Sequence, residues 1–146
     1  MIVVTGAAGF IGSCLAADLL RLGHKDILLV DDFSFESKKG NLNSISELST
    51  MERTEFIEKL SSISGIDAII HIGARTDTTE FDYELLKKLN LDYTKAVWQY
   101  CAQHNVPLIY ASSAATYGNG EYGYDDNHEI VNQLEPLNPY AISKNE

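Results

Sequence analysis

The sequence is short of cysteine and proline, with two of the first and three of the second in 146 residues. Cys14 and Cys101 lie far apart in helix-like text, which excludes a disulfide scaffold. They are expected to be small core residues in a reducing compartment. No run approaches the roughly 18 apolar residues of a membrane span. The opening "MIVVTGAAGF" has no basic leader ahead of a long apolar stretch, so no signal peptide is expected either. These absences predict a cytoplasmic protein with no membrane partner. Positive charge is also scarce: 11 Lys and Arg stand against 21 Asp and Glu, for a net charge of -10. Such a surface repels a phosphate backbone, which excludes nucleic acid as the partner. His24, His104 and His128 share no ligand spacing with each other or with the cysteines, so no metal site is expected. His71 ends an apolar strand and reads as a structural group.

Hydrophobic residues make up 45% and charged residues 22%, as in an ordinary globular domain. Short apolar runs alternate with helical text. "MIVVT" and "DILLVDD" read as buried strands, "IDAIIHIGA" and "VPLIYASS" as two further strands, and "NSISEL" as a short, weaker one. "FIGSCLAADLLRLG" is helical, with Ile11, Leu15, Leu19 and Leu22 in register and Gly23 as a stop. "MERTEFIEKLSS" predicts a helix with Thr50 as N-cap and Met51, Phe56, Ile57 and Leu60 near one face. The longest helical pattern runs from about 81 to 104. The text from 33 to 44 reads as turns, the stretch from 118 to 139 as a long loop, and "PYAISKNE" as the first turns of a helix. Strands alternating with helices predict right-handed crossovers and a parallel sheet covered on both faces.

"TGAAGFIG" sets Gly6, Gly9 and Gly12 at three-residue spacing between the first strand and the first helix. A pyrophosphate needs backbone amides with no Cβ in the way, aimed from a helix N-terminus. Gly6 suits the tight turn, Gly9 a close backbone approach, and Gly12 the packing of helix on strand. The same triplet also serves a plain βα turn; its place at the first strand–helix junction favours a dinucleotide. Asp31 ends the second strand, where a carboxylate either accepts from the adenosine ribose, favouring NAD, or is simply solvated. Lys38, Lys39 and Arg53 are the cations that a 2′-phosphate of NADP would need, and the choice of cofactor stays open.

"YASSAATYG" brings Ser112 and Ser113 out at the carboxyl edge of the fifth strand, where ligands of such sheets bind. Tyr140 and Lys144 are four apart and share a helix face. A free phenol, with a pKa of about 10, is a poor base at neutral pH. A neighbouring ammonium and the positive ring of an oxidised nicotinamide would favour the phenolate. Tyr140 would then take the proton of a substrate alcohol as that alcohol is oxidised, with Ser113 holding the oxygen.

Together, "TGAAGFIG", "VDD", "HIGA", "YASSAATYG" and "YAISK" resemble the extended short-chain dehydrogenase/reductase family of nucleotide-sugar epimerases and dehydratases, over essentially the whole chain. "HIGARTDTTEFD" and "PLIYASSAATYG" are most similar to its ADP-heptose epimerase branch. The resemblance implies an isomerase of lipopolysaccharide-precursor synthesis, with an ADP-sugar or other nucleotide-sugar substrate and a homo-oligomeric parent. Its cofactor would be NADP, with NAD the alternative, used for transient oxidation and re-reduction at one sugar carbon. A UDP-glucose 4-epimerase type and a non-catalytic NAD(P)-binding module are the competing readings.

Carried onto this sequence, the resemblance implies that Gly6, Gly9, Phe10, Ile11 and Gly12 form the cofactor turn, with Asp31 and Asp32 at the ribose. Lys38 and Arg53 would stand near the cofactor's phosphate. Ile72, Gly73 and Ala74 would pass under the cofactor, and Asn90 would brace that region. Ser113, Tyr140 and Lys144 would be catalytic, the last two also touching the cofactor. Ala114 and Ala115 replace the acidic pair of the dehydratase branch, which argues against elimination of water. Arg75 stands where many relatives carry a small residue, and either reaches a phosphate or is solvated. Tyr117, Tyr122, Tyr124, Asp125, Asp126 and Glu129 either line a sugar site or form a solvated loop. The expected fold is α/β, a doubly wound Rossmann-like parallel sheet over residues 1–146. It is expected to be truncated before the sixth strand and the substrate region, and to show no epimerase turnover by itself.

Overall fold

The computed structural model describes residues 1–146 throughout. Five strands, β1 (Ile2–Thr5), β2 (Ile27–Asp31), β3 (Ser49–Glu52), β4 (Ala68–His71) and β5 (Leu108–Tyr110), form one sheet in the order β3-β2-β1-β4-β5. All four pairings are parallel, with Val4 opposite Leu29 on one side and Ile70 on the other. The near-continuous apolar text of β1 and β2 follows from burial on both faces. Val4, Ile27 and Leu29 pack with Ala16, Ile45 and Leu48 in one core cluster. Strand order reverses between β1 and β4, the place where ligands of such sheets bind.

Five α-helices complete the chain: α1 (Phe10–Arg21), α2 (Arg53–Lys59), α3 (Tyr83–Leu86), α4 (Tyr93–His104) and α5 (Pro139–Asn145). A π turn, Lys87–Asp92, joins α3 to α4, so the long helical pattern at 81–104 is one interrupted helix. Asp82 caps it by accepting from the Leu85 N–H at 3.1 Å. Two compact units emerge, Met1–Gly73 with Lys95–Tyr110, and Ala74–Thr94 with Ala111–Glu146. The sheet lies wholly in the first.

Several expectations need correction. The third strand is Ser49–Glu52, and "NSISEL" instead ends a 3-10 helix, Glu36–Ile45, within the text read as turns. Leu42, Ile45 and Leu48 recur every third residue, the 3-10 period, and Ile45 and Leu48 are buried. Thr50 and Met51 are drawn into β3 opposite Leu29 and Val30, so α2 starts later, with Glu52 at its N-cap. Helix α1 buries the small residues Gly12, Ser13 and Ala16 and packs Leu15 and Leu19 against the core, while Ile11, Cys14 and the C-capping Leu22 are exposed. Cys101 alone is a core cysteine, and burial pushes its thiol pKa up. The loop after residue 118 contains a further 3-10 helix, His128–Gln133, capped by Asn127.

Candidate active site

In the first unit the turn after β1 leaves no room for a Cβ at Gly6 or Gly12. Gly6 has φ +70°, and a Cβ there would lie 2.7 Å from the Gly73 backbone. At Gly12 a Cβ would stand 2.2 Å from the Gly6 carbonyl oxygen, so Gly12 allows the helix to start directly on the turn. Gly9 is the N-cap of α1 and supplies no capping side chain, which leaves the first-turn amides without a side-chain acceptor. Phe10 and Ile11, 77% and 64% exposed, flank them.

Asp31, 7% exposed at the end of β2, is tied to this turn. Its Oδ2 accepts from the Ala8 N–H at 2.9 Å, and its Oδ1 accepts from the Asp32 N–H at 2.7 Å and from Lys38 Nζ at 3.0 Å. Asn41 donates to the Ala8 carbonyl at 2.9 Å, so the Ala8 peptide is held from both sides. Lys38 also lies 5.1 Å from the Phe35 ring centroid, within cation–π range. Asp32 accepts from Ser34 and, at 3.0 Å, from Arg53. The Ser34 hydroxyl first, and then its amide and Arg53, hold the Asp32 carboxyl below the usual range. Beyond β4, Ile72 donates its N–H to the Thr5 carbonyl, and Gly73 donates to Thr5 Oγ1 at 3.1 Å. That hydroxyl also meets His71 Nδ1 at 2.6 Å, and the His71 ring stacks on Tyr110. His71 is thus a buried, bonded group of the sheet.

In the second unit α5 is well started. Pro139 occupies its first turn, and the Asn138 side chain accepts from the Ala141 N–H at 2.8 Å. Tyr140 is half-buried, and Lys144, one turn on, is 7% exposed. Lys144 Nζ donates to the Ala111 carbonyl at 2.7 Å, and burial lowers its pKa to about 8. Two residues after Ala111, Ser113 caps a 3-10 turn, Ala114–Tyr117, its Oγ accepting from the Ala115 N–H at 3.2 Å. That bond uses a lone pair and leaves the hydroxyl proton to donate.

Ala74 opens this unit, and Asn90, 1% exposed in the π turn, grips the next residue. Its Oδ1 accepts from the Arg75 N–H at 2.7 Å, and its Nδ2 donates to the Arg75 carbonyl at 3.1 Å and to Ser143 Oγ at 2.9 Å. The Arg75 guanidinium contacts Asp77 and Glu80 at 3.4 and 3.3 Å. A cavity of about 410 Å3 opens beside Lys144, lined also by Ser112, Thr116, Tyr117, Asp125 and Asp126.

Sequence reading missed Asn41, Ser143 and the Ala111 carbonyl. Asn41 lies in text without helical or strand period. Ser143 stood inside the quoted "YAISK" with no role. A backbone carbonyl leaves no sequence signal at all. No group of three or more His, Cys, Asp or Glu gathers to hold an ion, and no helix is long and apolar enough to cross a membrane.

Comparison with known proteins adds to this geometry. The NAD dependent epimerase/dehydratase family matches residues 2–146. An ADP-L-glycero-D-manno-heptose-6-epimerase of Fusobacterium nucleatum is 44% identical over 149 aligned residues, covering 99% of this chain and 45% of that protein. The chain therefore spans about half the length of the curated relatives it matches. The crystal structure of the Helicobacter pylori ADP-L-glycero-D-manno-heptose-6-epimerase superposes with a TM-score of 0.78 at 26% identity, over 98% of this chain and 47% of that one. A UDP-glucuronic acid 4-epimerase from Bacillus cereus, solved in complex with NAD, gives 0.77 at 25% identity, over 98% of this chain and 48% of that one.

Proposed function

This chain belongs to the NAD dependent epimerase/dehydratase family, and from that membership we propose that it serves a nucleotide-sugar epimerase whose substrate is an ADP-heptose. Residues 1–146 would form its NAD(P)-binding Rossmann domain. The observation that carries the reading is the set on α5 and the β5 exit: Tyr140 and Lys144 on one helix face, with Lys144 bonded two residues ahead of Ser113.

The residues present fit a dinucleotide. The N-terminus of α1 has no side-chain cap, and its amides, with those of the glycine turn, suit a pyrophosphate. Asp31 spends three acceptor sites on Ala8, Asp32 and Lys38, and a carboxylate has about four, so one remains for a ribose hydroxyl. Lys38 and Arg53, each side chain 36% exposed and paired with Asp31 and Asp32, suit a 2′-phosphate, which favours NADP over NAD. The nicotinamide, when bound, supplies reversible oxidation at one sugar carbon. Ile72, Gly73 and Ala74 would line its underside.

In this reading Tyr140 removes the proton of the sugar hydroxyl and later returns it. Ser113 donates its uncommitted proton to the same oxygen. The Lys144 ammonium, on the same helix face, would supply the positive charge that attends the proton transfer. Ala114 and Ala115 offer no acid or base to expel water, which favours epimerisation over dehydration. The test is turnover by the whole protein: an ADP-heptose is epimerised, and UDP-glucose is not. Epimerisation of UDP-glucose alone would move the chain to the 4-epimerase type. Binding of NAD(P) without turnover of either would make it a binding module.

A further inference from the structure

Ser143 is 3% exposed on α5, between the two residues assigned to chemistry. Its hydroxyl has one proton, which it donates to the Tyr140 carbonyl at 2.7 Å, and its oxygen accepts from Asn90 Nδ2 at 2.9 Å. The Asn90 amide has one workable orientation. Its Oδ1 faces the Arg75 N–H and its Nδ2 the Arg75 carbonyl; turned over, it would set like against like at both. The π turn is the local departure from α geometry in which Asn90 is buried.

We propose that Ser143 is a positioning residue, tying α5 through Asn90 to the backbone of Arg75 and so fixing where the Tyr140 phenol and the Lys144 ammonium stand. Residues 139–146 are held by the burial of Ala141, by the Tyr83 hydroxyl donating to the Glu146 carboxylate, and by two buried tethers, Ser143 to Asn90 and Lys144 to Ala111. The proposal rests on the reading of Tyr140 and Lys144 as the reacting pair.

The test begins with the unaltered protein. The Asn90 side-chain amide protons, followed by NMR, should exchange with solvent far more slowly than those of a surface amide; surface-like exchange overturns the tether with no substitution made. Ser143→Ala should then lower kcat of the whole protein about a hundredfold with KM nearly unchanged. It should also move the titration midpoint of Lys144 Nζ upward from about 8, as the loosened helix admits water. Ser143→Thr, which keeps the oxygen, should restore both. A lowered melting temperature with the Lys144 midpoint and kcat unmoved would mean packing alone, and overturns the proposal. Tyr140→Phe keeps the two readings apart: if it turns over normally the catalytic reading fails, while proton exchange at Asn90 and the Lys144 midpoint still judge the tether.

Discussion

Lys144 Nζ and the carbonyl oxygen of Ala111 lie 2.7 Å apart, in a place where the lysine is almost fully withdrawn from water. One charge-assisted bond therefore joins the helix bearing Tyr140 to the strand exit bearing Ser113. The same burial lowers the lysine's pKa to about 8 from an ordinary 10.5, and that shift has a consequence for stability.

Below pH 8 the folded and unfolded chains both keep the Lys144 proton, and the cost of burying the charge is borne in full. Between about 8 and 10.5 the folded chain has released it while the unfolded chain still binds it, so this group's contribution to stability rises with pH. The full gain is about 3 kcal/mol. Denaturant melts of wild type and Lys144→Met across this window should diverge, with wild type gaining relative to the variant as pH rises. Parallel curves would mean that the ammonium is not desolvated.

The glycine turn should tolerate no methyl group at its second close contact. In Gly12→Ala the Cβ would meet the Gly6 carbonyl oxygen at 2.2 Å, which should cost about 1–3 kcal/mol and abolish the rise in melting temperature on adding cofactor. Gly40→Ala is the control, because nothing stands within 4 Å of its Cβ. Its melting temperature should change little.

Cofactor preference should follow the cations paired with Asp31 and Asp32. Lys38→Ala should weaken NADP binding about tenfold or more while leaving NAD much less affected, as read by fluorescence titration. Equal loss for both would assign Lys38 to supporting Asp31 alone.

Four of the five strands and the two short motifs were legible because their physics is local, whereas β3 was not. β-Branched runs bounded by glycine report burial on two faces, and Gly6 and Gly12 report contacts that only glycine admits. The exceptions have equally local causes. Leu42, Ile45 and Leu48 carry a three-residue period that a search for 3.6 or 2 passes over. Of the expected helix stripe, Leu15 and Leu19 pack against the core while Ile11 and Leu22 do not, and the buried Gly12, Ser13 and Ala16 carry almost no hydrophobic signal. Asp31 reads as a cofactor acid from its position, while its grip on the Ala8 amide depends on a fold that brings residues 8 and 31 together. Ser143 gained a role only once Asn90, 53 residues away in sequence, was seen against it.

The central claim is that Tyr140 is the proton-transferring group on a nucleotide sugar, and it is tested most directly by Tyr140→Phe in the whole protein, assayed for epimerisation of an ADP-heptose with cofactor binding measured in parallel. Cofactor affinity should stay within about threefold of wild type, and the turnover rate should fall by about 10²–10⁴. Turnover at the wild-type rate with the phenol oxygen gone would contradict it.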